Sequence, residues 1–153
     1  MIVLDTNVIS EIMLPAPNPQ VLRWIDQQPP QSIWITTINL YEIRYGLQSM
    51  PAGRKQIALI ALLERWLSDV VQHRIVSFDE AAAQQAANLA SVLKLTGRPR
   101  DARDTMIAGI VLASHATLAT RNTKHFEDIA KSVVNPWEKQ GTGNREQKAD
   151  GAK

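Results

Sequence analysis

The chain has 153 residues, 44% apolar and 21% charged content, a formal net charge of +2 and no cysteine. This excludes a disordered or fibrous chain, a disulfide scaffold, thiolate zinc sites and a cysteine nucleophile. So small a net charge also excludes a uniformly basic surface. Asp5 arrives too early for the apolar core of a signal peptide. The longest apolar run, Ile57 to Leu63, is too short to cross a bilayer. A cytoplasmic protein without membrane contact is therefore expected.

In chain order, Ile2-Val3-Leu4 predicts a first strand, and Thr6-Asn7 start a helix directly after Asp5. Pro15-Ala16-Pro17-Asn18-Pro19 forms a stiff loop between two helices, the second with its apolar face at Val21, Leu22 and Ile25. After Pro29-Pro30 comes a second strand at Ile33-Trp34-Ile35, and then Ile38, Tyr41, Tyr45 and Gln48 at helical spacing. Lys55 to Val71 is apolar over more than one stripe, which fits either a deeply buried helix or one facing another subunit or a partner helix.

A weak strand is read at Ile75-Val76. Ala82, Ala86, Leu89, Ala90 and Leu93 mark an amphipathic helix that Asp79 can cap. Met106, Ile107, Ile110, Val111 and Ser114 mark one more helix, followed by strands at Leu118-Ala119 and Val133-Val134. Short apolar runs separated by helices predict an α/β fold, a three-layer α/β/α sandwich on a mostly parallel central sheet. One domain is expected over residues 1–137. Residues 138–153, polar and without hydrophobic period, are expected to form a flexible tail.

The candidate chemistry rests on three carboxylates. Asp5 ends the first strand, where open α/β sheets bind ligands, although an Asp there can also cap the helix that follows. Glu42 lies one turn into the helix after the second strand, where Asn39 with Glu42 suggests a capping box. Asp101 and Asp104 open a later helix as N-cap and third residue. If those helices begin at one end of a parallel sheet, the acids converge at one rim, where their repulsion calls for a cation. Carboxylate oxygens suit Mg²⁺ or Mn²⁺, which can activate water against a phosphodiester.

Arg98, Arg100 and Arg103 cluster near these positions, as do Arg121 and Lys124. Arg121 and Arg44 are candidates for phosphate or carboxylate contacts, with a plain surface role as the alternative. His73, His115 and His125 lack ligand spacing, and Trp24, Trp34, Trp66 and Trp137 are scattered as packing residues.

The runs Ile2 to Ser10, Tyr41 to Gly46, Asp104 to Ala108 and Leu118 to Asn122, in that order and spacing, resemble PIN domains. The likeness covers residues 1–137 and is to the VapC-type toxins of bacterial toxin–antitoxin pairs, in the subgroup that includes FitB. The resemblance implies a PIN-like fold and a Mg²⁺- or Mn²⁺-dependent endoribonuclease. It makes Asp5, Glu42 and Asp104 the metal-holding acids, with Thr6, Asn7 and Thr120 as small polar residues around them. It further implies an RNA substrate, a homodimer, a cognate antitoxin and a larger assembly with operator DNA. Asn122 stands where many of these domains carry a fourth acid, which argues for one held ion rather than two. Two alternatives stand beside this: a catalytically weak binding module acting with a DNA-binding antitoxin, and a phosphohydrolase of another fold, which the Asp5-Thr6-Asn7 sequence disfavours.

Overall fold

The computed structural model describes residues 1–141. β1 (Ile2–Leu4), β2 (Ile33–Thr36), β3 (Ile75–Val76), β4 (Thr117–Ala119) and β5 (Val133–Val134) form one all-parallel sheet in the order β3-β2-β1-β4-β5. Every strand falls on a predicted apolar run. The chain grows from β1 outward in one direction to β3, then returns to the other side for β4 and β5. The β1–β4 boundary is thus a topological switch point, where strand order reverses and a crevice opens at the carboxyl ends.

The alternation of a pleated strand divides the core. Val3 and Leu118, in register on adjacent strands, face one apolar layer, whereas their successors Leu4 and Ala119 face the other. The second layer is built by α1 (Thr6–Ile12), α2 (Pro19–Asp26), α3 (Thr37–Gln48) and α4 (Arg54–Asp69), through Val8, Ile9, Val21, Trp24, Ile43, Leu47, Leu63 and Leu67. The first layer is closed by Ile107, Ala108 and Val111 of α6 (Ala102–Ala113) and by Phe126 and Ile129 of a kinked 3-10 segment, Thr123–Ser132. α5 (Glu80–Leu95) packs along α6, its start capped by Asp79 as predicted.

The helix faces depart from the sequence reading in α3 and settle one of its open alternatives in α4. In α3 the buried stripe is Asn39, Ile43 and Leu47, while Tyr41 and Tyr45 are exposed and stacked on each other. Both stripes have helical spacing, so periodicity alone could not choose between them. In α4 only Leu63 and Leu67 are fully enclosed, and Ile57 and Leu62 lie exposed, so the wide apolar arc is not deeply buried all round. The four tryptophans serve as packing residues, Trp24, Trp66 and Trp137 in one layer and Trp34 in the other.

None of the helices among the described residues is long and apolar enough to cross a membrane. Of the predicted tail, residues 138–141 follow Trp137 with Gln140 donating to the carbonyls of Asn135 and Glu138; residues 142–153 lie outside the described residues.

Gly109 marks the tightest helix contact. A Cβ there would meet the Ala82 carbonyl oxygen at 2.5 Å and Ala86 Cβ at 2.8 Å. Gly109→Val is expected to lower stability by about 3 kcal/mol, read as a drop in the urea midpoint. An unchanged midpoint would show that α5 and α6 separate freely.

Candidate metal-binding site

The residues at the switch point are placed by ordinary helix starts. Asp5 leaves β1 in extended conformation and caps α1, its Oδ1 accepting from Thr6 N at 2.8 Å. Its Oδ2 accepts from Thr120 Oγ1 at 2.7 Å and from Asn7 Nδ2 at 3.1 Å. A fourth donor, Asn39 Nδ2, reaches Oδ1 at 3.4 Å. The carboxylate is therefore fixed from α1, from the end of β4 and from α3, and Asp5 is only 5% exposed.

The start of α3 corrects the predicted cap. Thr36, not Asn39, is the N-cap, and the box is reciprocal between Thr36 and Asn39: Asn39 N donates to Thr36 Oγ1 at 3.0 Å, and Thr36 N to Asn39 Oδ1 at 3.1 Å. Glu42 is thus in the second turn of α3, so neither a capping box nor a first-turn dipole explains it. The cap leaves the Asn39 amide free to donate to Asp5 and to Thr6 Oγ1 at 3.1 Å. Thr6 in turn donates to Glu42 Oε1 at 3.2 Å. One chain of hydrogen bonds thereby links Glu42 to Asp5.

Asp101 caps α6 through Arg103 N at 2.9 Å, and Asp104 is its third residue, both as predicted. Asp104 Oδ2 lies 3.2 Å from His125 Nδ1. Arg103 lies 3.8 Å from Glu42 Oε2 and also bonds Asp101. Asn7 extends the network by accepting from Arg121 N at 3.1 Å, and Asn122 N donates to Thr120 Oγ1 at 3.0 Å. The Arg121 guanidinium lies 5.2 Å from the Trp137 ring centroid. Arg44, read as a possible phosphate ligand, is instead paired with Glu64 on α4.

Electrostatics ties the three acids together. Burial pushes the Asp5 carboxyl above its ordinary pKa against the opposing pull of its hydrogen bonds, and the Asp104 charge adds to the rise. Burial also raises Glu42, with further contributions from the charges of Asp5 and Asp104 and an opposing one from Arg103. Asp5 thus feels the charge of Asp104, and Glu42 feels those of both Asp5 and Asp104. As placed, however, no three His, Asp or Glu side chains among the described residues are close enough to enclose an ion. Hard divalent cations prefer carboxylate oxygens and keep several of their own waters, and Asp5, Glu42 and Asp104 offer oxygens of that kind.

Sequence reasoning missed Asn39 and His125 as members of this cluster. Asn39 was legible only as a cap. His125 has no periodic relation to the acids and joins them through the fold.

A PIN domain family model matches residues 2–132. The chain is 41% identical to the plasmid stability protein StbB of Pseudomonas syringae pv. tomato, covering 90% of this chain and 99% of that one. It is 37% identical to the VapC ribonuclease Y4jK of Sinorhizobium fredii, with 90% and 99% covered. Its fold is similar to a chain in the structure of FitAB bound to an IR36 DNA fragment, with a TM-score of 0.84 and 34% identity over 93% of this chain and 99% of that one.

Because Asp5 and Glu42 are raised in the folded state, the stability they contribute is full below the ordinary carboxylate range and is lost as pH rises through the raised values. The ion-free protein should thus lose stability as pH rises above the ordinary carboxylate range on account of these groups. Asp5→Asn is expected to flatten that dependence and raise the neutral-pH urea midpoint measured in chelator. An equally steep profile in the variant would remove Asp5 as the source.

Proposed function

The chain belongs to the PIN-domain family and, within it, to the VapC-type proteins, and on that premise we propose that it is a metal-dependent endoribonuclease, the toxin of a toxin–antitoxin pair. The observation that carries this reading is the placing of Asp5, Glu42 and Asp104 at the carboxyl ends of a parallel sheet, where the charge of Asp104 bears on Asp5 and the charges of both bear on Glu42. Such repulsion is relieved by a bound cation, and carboxylate oxygens select a hard one. When bound, Mg²⁺ or Mn²⁺ supplies an acidified water and neutralises charge developing on a phosphodiester.

The chain's own residues prepare that chemistry. Thr120, Asn7 and Asn39 hold both oxygens of Asp5, so its orientation is set before an ion arrives. Thr6 turns one oxygen of Glu42 toward itself, leaving Oε2 toward Arg103. Asp104 stands on the first turn of α6 with His125 against one of its oxygens. Hydrolysis at this rim would leave a 5′-phosphate and a 3′-hydroxyl. Arg121 and Asn122 follow Thr120 at the end of β4 and join the network through their backbone N–H groups; an amide at Asn122 brings no negative charge, which supports one held ion over two.

A DNA-binding antitoxin is the proposed partner, supported by the likeness to FitAB, which was solved on DNA. A homodimer in the cytoplasm completes the reading.

Digestion of cellular RNA with Mn²⁺ is expected to give cleavage that chelator abolishes. Asp5→Asn and Asp104→Asn should each reduce it by about a hundredfold or more without changing the circular dichroism spectrum. Undiminished cleavage by both variants would falsify the assignment. Asn122→Asp should tighten Mn²⁺ binding roughly tenfold by calorimetry, since it adds charge to the ligand set.

A further inference from the structure

The three acids of the rim are not held alike. Asp5 accepts from Thr6, Asn7, Asn39 and Thr120, and Glu42 accepts from Thr6 Oγ1. Asp104 has none of these donors. Among the described residues, the one side chain within hydrogen-bond distance of its carboxylate is His125, whose Nδ1 lies 3.2 Å from Oδ2. We propose, resting on the metal-binding reading above, that Arg100 is a positioning residue for Asp104. It fixes that carboxylate at the rim by locking the start of α6 to the segment Thr123–Ser132, which carries His125.

One guanidinium reaches both neighbours of Asp104. Arg100 Nε donates to Thr105 Oγ1 at 3.3 Å, and Thr105, the residue directly after Asp104, donates in turn to the Asp101 carbonyl at 3.1 Å across the first turn of α6. Arg100 Nη1 donates to the His125 carbonyl at 3.1 Å and to Asp128 Oδ1 at 2.6 Å. The segment cannot brace itself as one helix, because helical geometry breaks at Phe126 and Ile129. Arg100 bonds the residues directly before the two breaks, His125 and Asp128. Its guanidinium also lies 5.6 Å from the ring centroid of Phe126, which is fully buried in the layer closed by α6. The lock is thereby anchored in the core.

Stability alone is a weak account of this arrangement. The Arg100 side chain is only 7% exposed, and its Nη2 is buried without a hydrogen-bond partner among the described residues. Desolvation of a buried ion pair offsets much of its attraction, and a well-packed apolar pair often holds two segments together as well. What an apolar pair lacks is direction. The planar fork of an arginine sets the angles of several acceptors at once, whereas a lysine ammonium is a single point of charge. Without the fork, Asp104 keeps only a half-exposed histidine as its guide. Arg74 supplies a comparison within the same fold. Its guanidinium bonds the carbonyls of Pro30, Ile33 and Val70 at the amino end of β2, the opposite end of the sheet from the three acids.

The test is calorimetric titration of the full chain with Mn²⁺, without RNA, alongside urea midpoints measured in chelator. Arg100→Lys and Arg100→Gln are each expected to raise the Mn²⁺ Kd about tenfold, the scale of a lost support behind a metal ligand. Arg74→Gln is expected to lower the urea midpoint and leave the Kd at its wild-type value. Asp128→Asn keeps Arg100 but weakens one of its partners, and should raise the Kd by less than the Arg100 variants do. It carries the test if those variants do not fold, and a wild-type Kd in it then overturns the proposal. A wild-type Kd in Arg100→Lys, or an equal rise in Arg74→Gln, also overturns the proposal and leaves the metal site standing. Absence of Mn²⁺ binding by the wild type removes the metal-binding reading, and the proposal with it.

Discussion

A carboxylate that is 5% exposed at the end of a central parallel strand is tolerated only if its oxygens are satisfied, because an unpaired buried charge costs several kcal/mol. Asp5 meets this condition with donors from three places in the chain: Thr6 and Asn7 just after it, Asn39 after β2 and Thr120 after β4. Those contacts fasten the starts of α1 and α3 and the end of β4 to one point. The switch of strand order at β1 is what brings the three segments together. Displacing any of them would leave both an unsatisfied acid and an open crevice.

The same burial creates the reactive property. Hydrogen bonds favour the charged form of Asp5, yet desolvation and the nearby charge of Asp104 prevail and hold its pKa high. Glu42 shares this condition, moderated by Arg103. Burial first, and like charge after it, thus act on the acids at one rim of the sheet.

Around this rim the surface is divided. On one side Tyr41 and Tyr45 stack in the open on α3, the helix that carries Glu42. On the other side Arg100 locks the α5–α6 turn to the 3-10 segment by donating to the His125 carbonyl and to Asp128.

The order of elements was legible because local chemistry dictates it. Apolar triplets bounded by breakers are strands, and Asp5, Asp79 and Asp101 cap helices wherever those helices lie in space. Glu42 stands a turn deeper in α3 than a capping box would put it, whereas the strand-end position of Asp5 and the first-turn position of Asp104 were legible locally. Which stripe of α3 is buried was not, since Ile43 and Leu47 compete with Tyr41 and Tyr45 at the same period and only packing decides. Nor was the double duty of Asn39, whose oxygen closes a cap while its amide nitrogen reaches across to Asp5. His125 and the Arg100 lock belong to the same class: contacts between residues 20 or more positions apart, invisible to spacing and fixed only when α6 and the 3-10 segment pack on the sheet.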